Sequence, residues 1–187
     1  MKLYKYLKKQ YLKNWYDDGA IIFSPLERFI EMDGSIIVAD EYEGINISMI
    51  AKNATIILDG QSFEAILSGN IYARNPYFIE SLPYICSFSV DYNTALCKRF
   101  KAEVVLEFDF DESMQEAFND FGGMHQKVEY LHTFQVSENI FIKRPDFCIE
   151  QEYRLAFKHQ HAKRPEFLKV ASCNNTLQHL MKILPVL

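Results

Sequence analysis

The sequence has no apolar run that approaches the ~20 residues a helix needs to cross a bilayer. Near the N-terminus, lysines interrupt the apolar residues at Lys2, Lys5 and Lys8, whereas a signal peptide requires a continuous apolar stretch. From these two absences we predict a cytoplasmic protein with no membrane partner.

Cysteine is also sparse, because the chain has only four, which lie far apart and form no C-x-x-C pair. Neither a disulfide framework nor a structural zinc site is therefore predicted. His159 and His161 lie on one short segment, but a metal ion needs three or four ligands. The acidic residues Asp40, Glu41 and Glu43 are typical of a solvated turn. We therefore predict no metal site.

Glycine and proline are few, at seven and six residues, and the chain contains no linker, internal repeat or low-complexity segment. A chain of 187 residues is long enough for one core, so we predict a single domain over residues 1–187. The 49% hydrophobic content, with 15 phenylalanines and 11 tyrosines, excludes a disordered chain. The net charge of -5 argues against an extended nucleic-acid-binding surface, so nucleic acid is not an expected partner.

The spacing of the apolar residues predicts an α+β fold, with a mixed or mainly antiparallel sheet flanked by N-terminal, middle and C-terminal helices. Helices are expected at residues 7–19, after the pair Ser24-Pro25, after Asp111, and from residue 175 or 176 to Pro185. Strands are expected at residues 3–7, 20–23, 35–38, 55–58, 63–67, 70–73, 84–90, 102–110, 127–134, 147–157 and 167–171.

None of the standard enzyme motifs G-x-x-x-x-G-K-[ST], G-x-G-x-x-G, H-E-x-x-H or G-x-S-x-G is present. The feature that remains is a polar row, Glu150, Glu152 and Arg154, on one face of a predicted strand. In one interpretation the row is an acid-base cluster that orients a substrate hydroxyl or stabilises a developing cation. In the other it is a solvated strand face with cross-strand partners such as Lys143 or Lys169.

Two further pairs of residues are candidates for the same cleft. Ser87 and Ser89 share one face of the predicted strand 84–90, where they either line the cleft or serve as small packing residues. Tyr4 and Tyr6, with Lys5 between them, either stack on and orient a flat ligand or belong to an ordinary amphipathic edge strand. The predicted catalytic residues are Glu152, Glu150, Ser87 and Ser89, and the predicted substrate-binding residues are Tyr4, Tyr6 and Arg154.

Three short segments, taken in order, give the chain a resemblance to known proteins. They are Leu3-Tyr4-Lys5-Tyr6, Ile85-Cys86-Ser87-Phe88-Ser89 and Glu150-x-Glu152-x-Arg154. In this combination the chain resembles a large uncharacterised family of bacterial, phage and mobile-element proteins. The resemblance implies a cytoplasmic α+β domain but no activity. The chain differs from the family in having Cys-Ser-Phe-Ser where Cys-Phe-Ser is commoner.

The same order of residues is similar to the layout of ADP-ribosyltransferases. That layout has an aromatic residue, His or Arg on an early strand, a hydroxyl residue on a middle strand and a late glutamate. The likeness implies NAD⁺ as the substrate and a glutamate that hydrogen-bonds the nicotinamide ribose and stabilises an oxocarbenium-like transition state. Here the first strand has neither His nor Arg, and the serine motif lacks the usual threonine. The places would be filled by Tyr4 or Tyr6, Ser87 or Ser89, and Glu152 with Glu150.

The sequence leaves open whether the protein is an enzyme. The leading hypothesis is NAD⁺-directed ADP-ribosyl transfer or NAD⁺ cleavage in phage or mobile-element conflict, with NAD⁺ as the only cofactor implied and Glu152 as the first catalytic candidate. A second hypothesis is a non-catalytic module whose charged strand face docks a protein partner. A third is a homodimer that assembles through the exposed aromatic first strand.

Overall fold

The computed structural model of the protein describes residues 1–26, 28, 83–131, 140–143, 145–158, 167–171 and 176–186, together with four strands between residues 47 and 73. Several predicted features lie outside these residues. They are the strand at 35–38, the acidic turn at 40–43, the two histidines of the segment 159–161 and most of the helix expected after Pro25.

Strands outnumber helices in the described part of the chain. The strands are β1 (Lys2–Leu7), β2 (Ala20–Pro25), β3 (Ile47–Ala51), β4 (Ala54–Leu58), β5 (Gln61–Ala65), β6 (Gly69–Ala73), β7 (Tyr84–Ser89), β8 (Val104–Asp109), β9 (Gly123–Lys127), β10 (Glu129–Tyr130), β11 (Ile142–Lys143), β12 (Glu152–Phe157), β13 (Leu168–Ala171) and β14 (Met181–Leu184). The α-helices with described bounds are α1 (Thr94–Arg99), α2 (Glu112–Asp120) and α3 (Thr176–His179).

Eight of these strands form one sheet in which every pairing is antiparallel. The strand order is β13-β2-β7-β1-β8-β14, and β12 joins β7 to β9. Elsewhere β3 pairs with β6 and β4 with β5 in antiparallel fashion, and β10 pairs with β11 in parallel. The predicted α+β class with a mainly antiparallel sheet is confirmed.

The pairing of β7 leaves an opening in this sheet. Along one edge, β7 pairs with β12 over its whole length. Its other edge is shared, because residues 84 and 85 pair with β2 whereas Ser89 alone pairs with Tyr4 of β1. β1 instead pairs with β8 through all six of its residues. The sheet therefore opens between β1 and β7 beside residues 86–88.

The main core lies on one face of the sheet and is rich in aromatic rings. Side chains alternate between the two faces of a strand, so the even-numbered residues of β7 and β8 face this core. Trp15 meets Phe88 edge-on at 6.0 Å between ring centres, and Phe88 stacks on Phe108 at 5.7 Å. The other buried residues of this core include Leu3, Leu7, Phe23, Cys86, Leu106, Phe110, Phe118, Tyr153, Leu155 and Met181.

The segment between β1 and β2 is helical but less regular than predicted. β1 continues to Leu7, followed by a 3₁₀ turn at Lys9–Tyr11 and a π-helical turn at Lys13–Asp17. The expected glycine at the end is confirmed, because Gly19 has a φ of 54°, a conformation that glycine adopts without a steric penalty. Tight turns of this kind let the short segment place Trp15 in the core.

Other predicted boundaries were wrong. Ser24 does not cap a helix, because it pairs with Ile85 inside β2. α1 was not predicted, since its six residues carry too little apolar periodicity. Residues 181–184 continue the apolar spacing of α3, yet they form β14, because β8 offers an edge with which Met181 and its neighbours pair. The expected C-terminal helix is therefore reduced to four residues.

Candidate functional site

A cavity of about 230 Å³ lies at the opening between β1 and β7. It brings together all seven residues that the sequence singled out as catalytic or substrate-binding. Its lining consists of Tyr4, Lys5, Tyr6, Ser87, Phe88, Ser89, Phe100, Lys143, Glu150, Glu152 and Arg154.

Strand register explains this convergence. Ser89 is the cross-strand partner of both Tyr4 on β1 and Glu152 on β12, and Ser87 is the partner of Arg154. Cross-strand partners point to the same face of a sheet, and residues two apart on one strand do likewise. The hydroxyl, carboxylate, guanidinium and first-strand tyrosine are therefore neighbours on the face opposite the main core.

Glu152 lies at the bottom of the cavity and is 3% exposed. Its Oε1 accepts hydrogen bonds from the Ser87 hydroxyl and from Arg154 Nε. Its Oε2 accepts from Arg154 Nη2 at 3.3 Å and lies 2.9 Å from Lys143 Nζ. A carboxylate has about four acceptor positions, so these donors occupy all of them.

The two cations decide the ionisation of Glu152. Burial alone would raise the pKa of its carboxyl, but Arg154 and Lys143 outweigh burial and, with the hydrogen bonds from Arg154 and Ser87, hold that pKa well below its usual range. Glu152 is therefore a carboxylate throughout the physiological pH range.

Glu150 belongs to the same network through Lys143. Lys143 Nζ lies 3.0 Å from Glu150 Oε2 and 2.9 Å from Glu152 Oε2, so one ammonium bridges both carboxylates. On its other side, Glu150 Oε1 accepts from Arg99 Nε at 3.1 Å and from Arg99 Nη2 at 2.8 Å. The network thus connects α1 to β11 and β12 behind the cavity.

Glu150 does not lie in a strand, as the sequence analysis had predicted. Residues Pro145–Glu150 form a 3₁₀ turn, and Gln151 adopts a left-handed conformation with a φ of 44°. Gln151 is held there because its side chain donates to the Cys148 carbonyl at 2.9 Å and its own carbonyl accepts from Val90 N. β12 begins only after this turn, which leaves both carboxylates facing Lys143.

The polar row is not a solvated strand face, since Glu150, Glu152 and Arg154 are all at most 4% exposed. The ion pair expected with Lys143 is confirmed. The alternative partner Lys169 was wrong, because its Nζ binds Asp18 Oδ2 at 2.7 Å. Buried side chains of this kind do not offer a flat charged face to a protein partner.

The aromatic residues of β1 form one wall of the cavity. Tyr4 stacks on Tyr92 at 5.6 Å between ring centres, and Tyr6 lies 5.4 Å from Phe100. The Tyr6 hydroxyl donates to the Asp91 carbonyl at 2.7 Å and accepts from Asn93 N at 3.2 Å. Burial raises the pKa of Tyr6 to about 12, so this phenol stays protonated. Because β1 lies between β7 and β8, it is not the edge strand that was predicted.

Three residues of the network were not among the predicted site residues, namely Arg99, Lys143 and Tyr130. The Tyr130 hydroxyl accepts from Glu152 N at 2.8 Å and so fixes the start of β12. Lys143 had a recognisable signal, because it is a single lysine after the apolar run Ile140-Phe141-Ile142. Arg99 had none, since α1 itself was not predicted.

Two features of the described residues bear on partners and cofactors. No three His, Cys, Asp or Glu side chains in the described ranges come close enough together to hold a metal ion. Within the same residues, no helix combines the length and apolar character needed to cross a membrane.

Comparison with known proteins leaves both family resemblances untested. No protein-family model, no curated protein and no solved structure matches the chain. The functional interpretation therefore depends on the geometry of the cavity.

Proposed function

We propose that the cavity between β1 and β7 is a ligand-binding site directed at NAD⁺, and that the protein cleaves NAD⁺ or transfers its ADP-ribosyl group. One observation carries the proposal. Tyr4, Ser87 with Ser89, and Glu152 with its neighbour Glu150 converge on a single cavity, in the chain order of the ADP-ribosyltransferase layout. A structural ion pair alone does not require an aromatic wall and two serines beside it.

The size of the cavity limits how NAD⁺ would bind. Its volume of about 230 Å³ is below the roughly 300 to 1,000 Å³ of pockets that enclose drug-sized ligands. We therefore expect one end of NAD⁺, the nicotinamide with its ribose and the adjoining phosphate, to enter beside Tyr4 and Tyr6, with the adenosine end outside. The exclusion of water around that end is what would strengthen electrostatic stabilisation of the reacting sugar.

In this proposal Glu152 supplies the negative charge that stabilises the developing oxocarbenium ion. It is fixed for this role, since its carboxylate is ionised and both of its backbone groups are held, by Tyr130 and by Val128. A ribose hydroxyl can hydrogen-bond to Glu152 only by replacing one of the present donors. Ser87 is the donor most easily replaced, because its hydroxyl can rotate whereas Arg154 is buried.

The test is calorimetric titration with NAD⁺, followed by an assay for nicotinamide release. Wild-type protein should bind NAD⁺ at millimolar concentration or below. Glu152→Gln should lower turnover by about a hundredfold or more, which is the usual cost of losing one transition-state electrostatic contact. Glu107→Gln is the matched control, because Glu107 lies on the same face of the sheet but outside the cavity, where it pairs with Lys2.

Two outcomes would contradict the enzymatic proposal. One is absence of NAD⁺ binding at millimolar concentration by folded wild-type protein. The other is equal turnover in wild type and Glu152→Gln. Because Glu152→Gln also breaks a buried ion network, its fold must be confirmed by circular dichroism before its activity is compared.

A second candidate function is ligand binding without turnover. It is favoured by one observation, the occupation of all four acceptor positions of Glu152 by Ser87, Arg154 and Lys143. A carboxylate with this many donors serves well as a fixed anchor for the cations that line a binding site. Binding of NAD⁺ without nicotinamide release would favour this candidate over the enzyme.

A further inference from the structure

Lys5 places a positive charge inside the sheet. It lies on the face of β1 that packs in the core, but its ammonium turns into the opening between β1 and β7. Nζ donates to the main-chain carbonyl of Ser87 at 2.6 Å. It also lies 5.2 Å from the centre of the Trp15 ring and 5.6 Å from that of Phe88. Lys5 is part of the lining of the cavity.

The unpaired edge of β7 explains why a hydrogen-bond donor lies at this position, but it does not explain why that donor is charged. Ser87 lies where the shared edge of β7 pairs with neither β1 nor β2, and a main-chain carbonyl left without a partner costs free energy. One neutral N–H group would satisfy that carbonyl. The ammonium of Lys5 carries three protons and a full charge, which is more than the edge requires.

Within the described residues, no carboxylate lies at ion-pair distance from Lys5. The two aromatic rings stabilise the ammonium in part, by about 0.5 to 2 kcal/mol in typical cation–π contacts. A half-buried cation without a counter-ion remains costly, because burial removes part of its hydration. The cavity is the space from which an anion can reach it.

We infer that Lys5 binds an anionic oxygen of the cavity's ligand, from a phosphate or a carboxylate group. An N⁺–H···O⁻ hydrogen bond is about twice as strong as a neutral one, so Lys5 would contribute directly to affinity. The proposed function enters only in the identity of the ligand, since NAD⁺ carries a pyrophosphate that would supply this oxygen. Anion binding at Lys5 does not require NAD⁺ cleavage.

The experiment is calorimetric titration at low ionic strength with inorganic pyrophosphate, with acetate as the carboxylate probe, and separately with NAD⁺. Wild-type protein should bind pyrophosphate or acetate, and rising salt should weaken the binding. Lys5→Met should weaken it at least about tenfold, because the charge-assisted hydrogen bond is lost. Lys2→Met is the matched control, since Lys2 lies on the same strand but is exposed and pairs with Glu107 at 2.6 Å.

Two further variants keep the test decisive if Lys5→Met fails to fold. Lys5→Gln retains an N–H donor for the Ser87 carbonyl but no charge, so it should fold and bind pyrophosphate weakly. Lys5→Arg keeps the charge and should retain binding. The inference would be overturned if wild type and Lys5→Gln bound pyrophosphate with the same affinity and also bound acetate with the same affinity. It would also be overturned if wild type bound neither anion at ten millimolar.

The outcomes also separate this inference from the proposed function. Loss of anion binding in Lys5→Gln, together with no binding or cleavage of NAD⁺ by wild type, supports the inference and contradicts the proposed function. NAD⁺ turnover that depends on Glu152, with NAD⁺ affinity equal in wild type and Lys5→Gln, supports the proposed function and overturns the inference.

Discussion

Replacing Lys143 with methionine should destabilise the protein strongly, because Lys143 is the shared partner of two buried carboxylates. Its Nζ lies 3.0 Å from Glu150 Oε2 and 2.9 Å from Glu152 Oε2, and its side chain is 5% exposed. Methionine keeps the length and most of the apolar contact of the stem but removes the charge. Breaking a buried ion pair from one side costs about 3 to 5 kcal/mol, since the remaining charges stay buried.

The loss should depend on pH. In wild type the pKa of Glu152 is lowered, so its contribution to stability is present above the ordinary carboxyl value of 4.5 and disappears as pH falls below it. Without Lys143 the pKa of Glu152 rises. In the variant, protonation therefore removes the buried charge of Glu152 at a higher pH than in wild type. The difference in the free energy of unfolding should therefore be largest at pH 7 and smaller near pH 4.

Urea unfolding followed by circular dichroism at pH 7 and at pH 4 measures both effects. Lys169→Met is the matched control, because Lys169 also bridges two elements, with Nζ 2.7 Å from Asp18 Oδ2, but its side chain is 48% exposed. A solvated pair contributes little. If Lys143→Met and Lys169→Met lowered stability equally at pH 7, the reasoning from burial would be refuted.

Three further predictions concern packing, ionisation and capping. Gly123→Ala should lower the free energy of unfolding by roughly 1 to 3 kcal/mol through overpacking, because the added Cβ would lie 2.3 Å from the Phe118 ring. Gly122→Ala has open space around its Cβ but a φ of +75°, so it should lower the free energy of unfolding in urea less than Gly123→Ala does. A larger loss in Gly122→Ala would contradict the clash with the Phe118 ring. Tyr130→Phe should remove one late phenol from an alkaline absorbance titration, since burial raises the pKa of Tyr130 to about 12; an unchanged curve would contradict this. Asp111→Ala should reduce helicity at pH 7 but less at pH 3, since a backbone hydrogen bond in the first turn of α2 lowers the pKa of Asp111; equal effects would argue against the cap.

Strand alternation was the most informative signal in the sequence for the fold. β7 and β8 alternate apolar and polar residues, and both strands were predicted within two residues of their observed ends. Residues 181–184 show the limit of such patterns, because their spacing suits a helix and a strand equally. The free edge of β8 decided the outcome, and that edge is a tertiary feature that no local pattern contains.

The candidate site was predictable to the extent that residues two apart on one strand share a face. This places Ser87 with Ser89, and it would place Glu150 with Glu152. Period two does not say which strands are neighbours, so Lys143 was only one of two possible partners of the polar row, and the approach of Arg99 could not be derived. The left-handed turn at Gln151 was also outside any pattern, because only the surrounding hydrogen bonds hold a glutamine there.

The ion network has little reason to exist for stability alone. Well-packed apolar residues of similar volume usually stabilise a core as much as a buried ion pair or more, because they avoid the desolvation of charge. Here the buried charges of Glu150, Glu152 and Lys143 line a cavity with Lys5 and Arg154. Charged groups in a concave site are the usual mark of ligand chemistry.

The cavity itself follows from one irregularity of the sheet. Had β1 paired with β7 along its full length, ladder hydrogen bonds would have filled the space beside residues 86–88, and Ser87 would need no lysine. Because only Tyr4 and Ser89 pair, the strands separate, and the same separation creates the cavity and draws the Lys5 ammonium into the sheet. Lys5 on β1 and Glu152 on β12 then reach one cavity from the two strands that flank β7. A ligand with both an anionic oxygen and a centre that becomes positively charged matches that arrangement, and a dinucleotide cleaved at its nicotinamide ribose has both.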